Sequence, residues 1–159
     1  MYYDIIESPI CPILLAGDED GLKLVTLIKG EKKAEIPPEW VENQEFFRES
    51  ARQLDAYFCG KLKAFDLKLD PEGTEFRKSV WKAVCEIPCG KTRTYKEIAL
   101  AIGKPKAYRA VGLANNRNPI AIIIPCHRVI GSNGKLTGYA YGLDVKELLL
   151  KLEENKLKK

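Results

Sequence analysis

Ile122-Ile123-Ile124-Pro125-Cys126-His127-Arg128-Val129-Ile130 is the stretch on which the reading of this chain turns. Three consecutive isoleucines predict a buried strand. Proline cannot donate to a sheet ladder, so that strand should stop or turn at Pro125. Adjacent side chains on a regular strand point to opposite faces. Cys126 and His127, the only histidine of the chain, can therefore share a pocket only if the backbone turns or coils there. An imidazole beside a thiol raises the thiolate fraction, and the thiolate is the nucleophile. The same dipeptide also fits a buried structural thiol, since free cysteine is among the most buried residue types.

Upstream of this stretch the chain is organised around turns. Met1 to Ile6, Ile13 to Ala16 and Leu22 to Ile28 read as short strands, the last two joined at Asp18-Glu19-Asp20-Gly21. Gly30 to Pro38 is a charged, proline-bearing connection. A helix opening at Glu42 or Asn43 should end near Cys59-Gly60, and Phe65 to Leu69 reads as one more short strand. Composition changes at Asp70-Pro71-Glu72-Gly73, which divides the chain into a lobe of residues 1–69 and a lobe of residues 70–159.

The second lobe begins with Thr74 as an N-cap and a helix carrying Phe76, Val80, Trp81 and Val84 on one stripe. Thr94-Tyr95-Lys96-Glu97 has the form of a capping box. It starts a short helix that Gly103 stops, and a second helix follows from about Ala107, ended by Asn115-Asn116. Two short helices joined by a tight turn fit a helix-turn-helix unit, though most such pairs only pack. Between Lys91 and Arg117 the sequence holds seven cations and a single acid, Glu97, with Tyr95 and Tyr108 interleaved. That concentration points to nucleic acid. Gly131-Ser132-Asn133-Gly134 is a turn. Asp144 should cap a last helix with Val145, Leu148, Leu149 and Leu152 inward.

Bulk composition narrows the function classes. The chain has 159 residues, 45% hydrophobic and 30% charged, an ordinary globular balance. No apolar run reaches the length of a membrane helix, and Met1-Tyr2-Tyr3-Asp4 does not open a secretory signal, so a cytoplasmic protein is expected. Net charge is +4. Lysines 156, 158 and 159 read as a solvated tail and leave about +1 without them, so DNA affinity would rest on local placement of cations. Five cysteines make no even-numbered framework, and one histidine with no second Cys pair makes structural zinc improbable. Cys85 reads as a buried helix residue and Cys89 as a loop thiol, with a disulfide between them conceivable on oxidation.

The string Pro125-Cys126-His127-Arg128-Val129 resembles the active-site signature of the O6-alkylguanine-DNA alkyltransferases. Tyr95, Arg109-Ala110-Val111-Gly112, Asn118-Pro119, Gly138-Tyr139 and Val145-Lys146-Glu147 follow the family's order and spacing over about residues 74–153. The resemblance implies an α/β (α+β) fold: a small N-terminal RNase-H-like α/β lobe and a mostly helical C-terminal lobe with a helix-turn-helix. It implies irreversible transfer of an alkyl group from O6-alkylguanine, with O4-alkylthymine as a further substrate, in duplex DNA to Cys126. The protein would act as a monomer, without cofactor or metal.

Residue by residue, the resemblance implies that His127 takes the Cys126 proton through a water and that Glu147 orients His127. Tyr95 donates to guanine N3 and the Ala140 N–H donates near O6, while carbonyls around Cys126 and Val129 read the exocyclic amine. Arg109 enters the base stack, Ala110 and Gly112 allow close approach to the minor groove, and Lys96, Lys104 and Ser132 contact the DNA backbone. Asn118 is the hinge and Tyr139 lines the pocket. Glu147 could instead belong to a cap, Tyr139 to a packed wall and Asn118 to a plain pre-proline turn. Tyr141 stands where relatives often have glycine, so benzyl adducts should react more slowly than methyl; equal rate constants would contradict this. A damage sensor without transfer activity and a Cys-His hydrolase are the alternatives.

Overall fold

The computed structural model describes residues 1–30 and 34–157. The middle of the Gly30–Pro38 connection and the last two lysines of the expected tail lie outside the described residues. The chain divides into two compact units. One comprises Met1–Glu72 with Pro119–Ala121, the other Gly73–Asn118 with Ile122–Lys159.

In the first unit, β1 (Tyr2–Ile6), β2 (Ile13–Asp18) and β3 (Gly21–Leu27) form an antiparallel meander. β4 (Val41–Glu42) adds parallel to β1, giving the order β3-β2-β1-β4. The β2–β3 turn closes on Gly21 at φ +140°, where the Asp18 side chain accepts from the Asp20 N–H. Ile13, Leu15, Val25 and Leu27 are buried. The helix expected from Glu42 starts later: a 3-10 turn at Glu45–Phe47 leads into α1 (Arg48–Phe58). Asn43 stays outside and accepts from the Phe46 N–H, which satisfies an orphan donor of that turn. Phe65–Leu69 is not a strand; only Leu69 bridges to Leu22, and the Gln53 side chain takes up both backbone groups of Asp66. Pro119–Ala121 runs along the free edge of β3, with the Val25 N–H donating to Pro119 O (2.9 Å) and the Ala121 N–H to Val25 O (3.0 Å).

The second unit is mainly helical. α2 (Glu75–Cys85) is capped by Thr74, whose hydroxyl accepts from the Arg77 N–H. A Cβ on Gly73 would come within 2.6 Å of the Trp81 ring, so only glycine lets the chain enter this helix so close to the indole. Trp81 Nε1–H donates to Ala114 O at 2.8 Å and ties α2 to the helix pair. That pair is α3 (Tyr95–Ala101) and α4 (Tyr108–Asn116). Both halves of the Thr94–Glu97 capping box form, and Gly103 at φ +75° ends α3. α5 (Leu143–Leu157) closes the unit. Its Val145 and Leu149 are buried, whereas Leu148 is 48% exposed.

Candidate active site and nucleic-acid interface

The expected strand at Ile122–Ile124 is absent; the segment is a buried turn. Ile122 takes φ +71°, which costs a β-branched residue about 1–2 kcal/mol. Pro125 follows at φ −81°, ψ 62°, and the Cys126 N–H donates back to Ile124 O at 2.8 Å. These angles and that bond define an inverse γ-turn. Cys126–Arg128 then form one 3-10 turn, so Cys126 and His127 are not forced onto opposite faces. β6 (Val129–Ile130) leaves the turn by pairing parallel with β5 (Arg93–Thr94). Two side chains at the end of α4 hold the turn: Asn118 Nδ2 donates to Ile124 O (2.8 Å), and Asn115 Nδ2 donates to Cys126 O (3.2 Å).

The carboxylate on the histidine is Glu153, not Glu147. His127 Nε2 lies 2.6 Å from Glu153 Oε2, with both side chains fully buried. Glu147 is exposed and pairs with Lys151 at 3.1 Å. The reason is helical phase. Glu153 stands four residues after buried Leu149 and shares its inward face, whereas Glu147 is two residues before it and faces out. Arg128 closes a fork on the same carboxylate, Nε to Oε1 at 2.8 Å and Nη2 to Oε2 at 3.0 Å, while Nη1 donates to Ile87 O at 2.7 Å. Such bidentate pairs fix geometry as well as charge. Lys156, expected in a solvated tail, is 2% exposed on the same face of α5.

Electrostatics set the protonation states. Burial opposes ionisation of Glu153, but His127 and Arg128 hold its carboxyl well below the usual carboxylate range. Burial lowers the His127 pKa, against the pull of Glu153, so the imidazole is neutral at pH 7. With Glu153 ionised, the Nε2 atom carries the ring proton and donates to it. Nδ1 is then an acceptor, buried and without a hydrogen-bond partner among the described residues. Cys126 is 6% exposed. Burial raises its thiol pKa, while Asn118, Lys146 and Tyr139 favour the thiolate. The Tyr139 hydroxyl lies near enough to affect the sulfur without a hydrogen bond of ordinary geometry.

Lys146 is fully buried, and its Nζ donates to Val129 O (2.6 Å) and Thr137 O (2.9 Å). Burial brings its pKa down to about 8. Thr137 O also accepts from the Tyr95 hydroxyl at 3.1 Å, so Tyr95 and Lys146 meet on one loop carbonyl. Tyr139 and Tyr141 stack edge to face, ring centroids 5.7 Å apart. Ala140, between them, is exposed.

Arg109, Ala110, Lys96, Lys104 and Ser132 are exposed. Lys96 Nζ lies 5.4 Å from the Tyr108 ring centroid and Lys104 Nζ 5.3 Å from that of Phe76, so both cations are placed by aromatic faces. Gly112 is half-buried, and a Cβ there would touch the Tyr95 ring at an ordinary 3.8 Å. Asn115, Lys146, Glu153 and Arg128 carry the geometry of the site without having been assigned roles from the sequence. A scan for apolar periodicity skips polar residues on an inward face. The spacing 146, 149, 153, 156 is the signal that exposes Lys146 and Glu153, together with Lys156.

No disulfide joins the described cysteines; Cys85, expected to be buried, is exposed at the end of α2. No helix among the described residues is long and apolar enough to cross a membrane.

Known proteins resemble both units. Residues 1–71 match the ribonuclease-like domain of 6-O-methylguanine DNA methyltransferase, and residues 75–155 match its DNA binding domain. A methylated-DNA–protein-cysteine methyltransferase of Methanosarcina barkeri is 77% identical over 99% of this chain and 100% of its own length. The crystal structure of Mycobacterium tuberculosis OGT in complex with DNA superposes with a TM-score of 0.90 at 48% identity, covering 98% of this chain and 94% of that one. An O6-methylguanine DNA methyltransferase from Methanococcus jannaschii aligns at 32% identity and a TM-score of 0.68, over 95% and 93% of the two chains. With both units matched along nearly their whole length, the chain belongs to the 6-O-methylguanine DNA methyltransferase family.

Proposed function

We propose that this chain repairs DNA by direct reversal, moving the alkyl group of O6-alkylguanine in duplex DNA onto Cys126 in a single turnover. One observation carries the reading: a buried Cys126 beside a neutral His127 whose Nε2 is committed to Glu153 and whose Nδ1 is open to accept a proton. The Cys126 proton passes through a water to Nδ1. The sulfur then attacks the alkyl carbon, an S–C bond forms, and the C–O6 bond breaks toward guanine. Negative charge growing on the leaving base is met by donors. The Tyr95 hydroxyl exchanges Thr137 O for guanine N3, and the Ala140 N–H lies toward O6. The Cys126 and Val129 carbonyls face the exocyclic amine.

Chemistry on a base requires that it leave the stack. Arg109, exposed on α4, fills the gap, with Ala110 and Gly112 leaving room for the minor groove and Lys96, Lys104 and Ser132 on the phosphates. Asn118 joins this helix to the active-site turn, and Tyr139 walls the pocket. The protein acts as a monomer inside the cell, where its thiols stay reduced.

Stoichiometry tests the reading. With excess methylated duplex, transfer should stop at about one methyl per chain. Continued turnover, or hydrolysis of a thioester by the same thiol, would favour a Cys-His hydrolase. Binding without transfer would favour a damage sensor.

A further inference from the structure

The Cys126 carbonyl oxygen already has two internal donors. The Val129 N–H reaches it across the 3-10 turn, and Asn115 Nδ2 reaches it from α4 at 3.2 Å. A carbonyl oxygen offers two lone pairs, so both are taken. The Val129 carbonyl holds Lys146 Nζ at 2.6 Å and has one lone pair beyond that bond. The Cys126 carbonyl has none left for an amine. That matters for selectivity. A site rejects an analogue lacking a polar group chiefly when the analogue leaves a buried partner unpaired.

Asn115 is 1% exposed, and its Oδ1 has no hydrogen-bond partner among the described residues. An apolar side chain would avoid leaving that oxygen unpaired. The bond to Cys126 is thus kept at a cost to stability.

We propose that Asn115 is a positioning residue that broadens the substrate range: by occupying the Cys126 carbonyl it lets the site accept O-alkylated bases with no exocyclic amine at that edge. This rests on the reading that these carbonyls face the amine. The reaction is the same S-alkylation, with hypoxanthine leaving in place of guanine.

O6-methylhypoxanthine differs from O6-methylguanine only by lacking that amine. Single-turnover rate constants for the two, each in the same duplex, test the proposal. The unaltered chain should favour guanine by less than about tenfold, the scale of one net hydrogen bond. Asn115→Leu, which frees one lone pair of that carbonyl while the Val129 N–H keeps the other, should raise the preference at least about threefold. Asn115→Ala should move it the same way and serves if the leucine variant fails to fold. A preference above tenfold in the unaltered chain would overturn the proposal, as would variants that slow both substrates equally, the mark of a merely structural role. Either result leaves alkyl transfer standing. No transfer from either duplex would instead refute the function on which the proposal rests.

Discussion

Two carboxylates on α5 have opposite environments, and two substitutions separate them. Glu153 is fully buried between His127 and Arg128. Glu153→Gln leaves the Arg128 charge without its counterion and should cost about 3–5 kcal/mol in urea unfolding. The transfer rate should fall at least about a hundredfold at a temperature where the variant is folded. Glu147→Gln removes only an exposed pair with Lys151 and should stay within about 0.5 kcal/mol, with transfer unchanged. The reverse pattern would restore Glu147 as the partner of His127.

Acid stability follows from the same group. Native Glu153 holds its carboxylate below the ordinary value of 4.5, so below that pH the unfolded chain binds more protons than the native one. Its contribution is complete above 4.5 and is lost as pH falls toward the native pKa. The thermal midpoint should drop between about pH 5 and about pH 3, less steeply in Glu153→Gln. An equal drop in both proteins would remove Glu153 from the explanation.

At the scale of elements, the α3 cap is the clearest local prediction. Thr94 accepts from the Glu97 N–H at 3.1 Å, and Glu97 accepts from the Thr94 N–H at 3.2 Å. Thr94→Ala should cost about 1 kcal/mol by equilibrium unfolding; no change would mean that solvent replaces the cap. This helix was legible in the sequence because a capping box and a stop glycine are local signals. So were β1 to β3, where turn residues bound short runs. Ile122–Ile124 were not, because an apolar run reports burial and not conformation. Their turn is imposed by tertiary contacts: the Asn118 and Asn115 side chains hold its carbonyls. Phe65–Leu69 misled for a related reason, since Gln53 supplies the backbone partners that a neighbouring strand would have given. The inward face of α5 was hidden because Lys146, Glu153 and Lys156 are charged, and charge in a sequence reads as surface.

At the scale of the whole molecule, Pro119–Ala121 belongs with the first unit although it lies between parts of the second. The chain leaves it at Ile122 and reaches Cys126 four residues later. Val25→Pro removes the N–H that donates to Pro119 O and should cost about 1–3 kcal/mol. Because that edge anchors the segment leading to Cys126, methyl transfer should slow as well. Loss of stability with full transfer would show that the active-site turn does not depend on the sheet.

The account as a whole stands on Cys126 as the acceptor, and mapping the adduct by tandem mass spectrometry tests it most directly. After incubation with duplex DNA carrying one O6-methylguanine, the peptide containing Cys126 should gain a single methyl group, and Cys126→Ala should gain none while still binding DNA. A methyl group on Cys11, Cys59, Cys85 or Cys89, or an unmodified Cys126 beside repaired DNA, would contradict it.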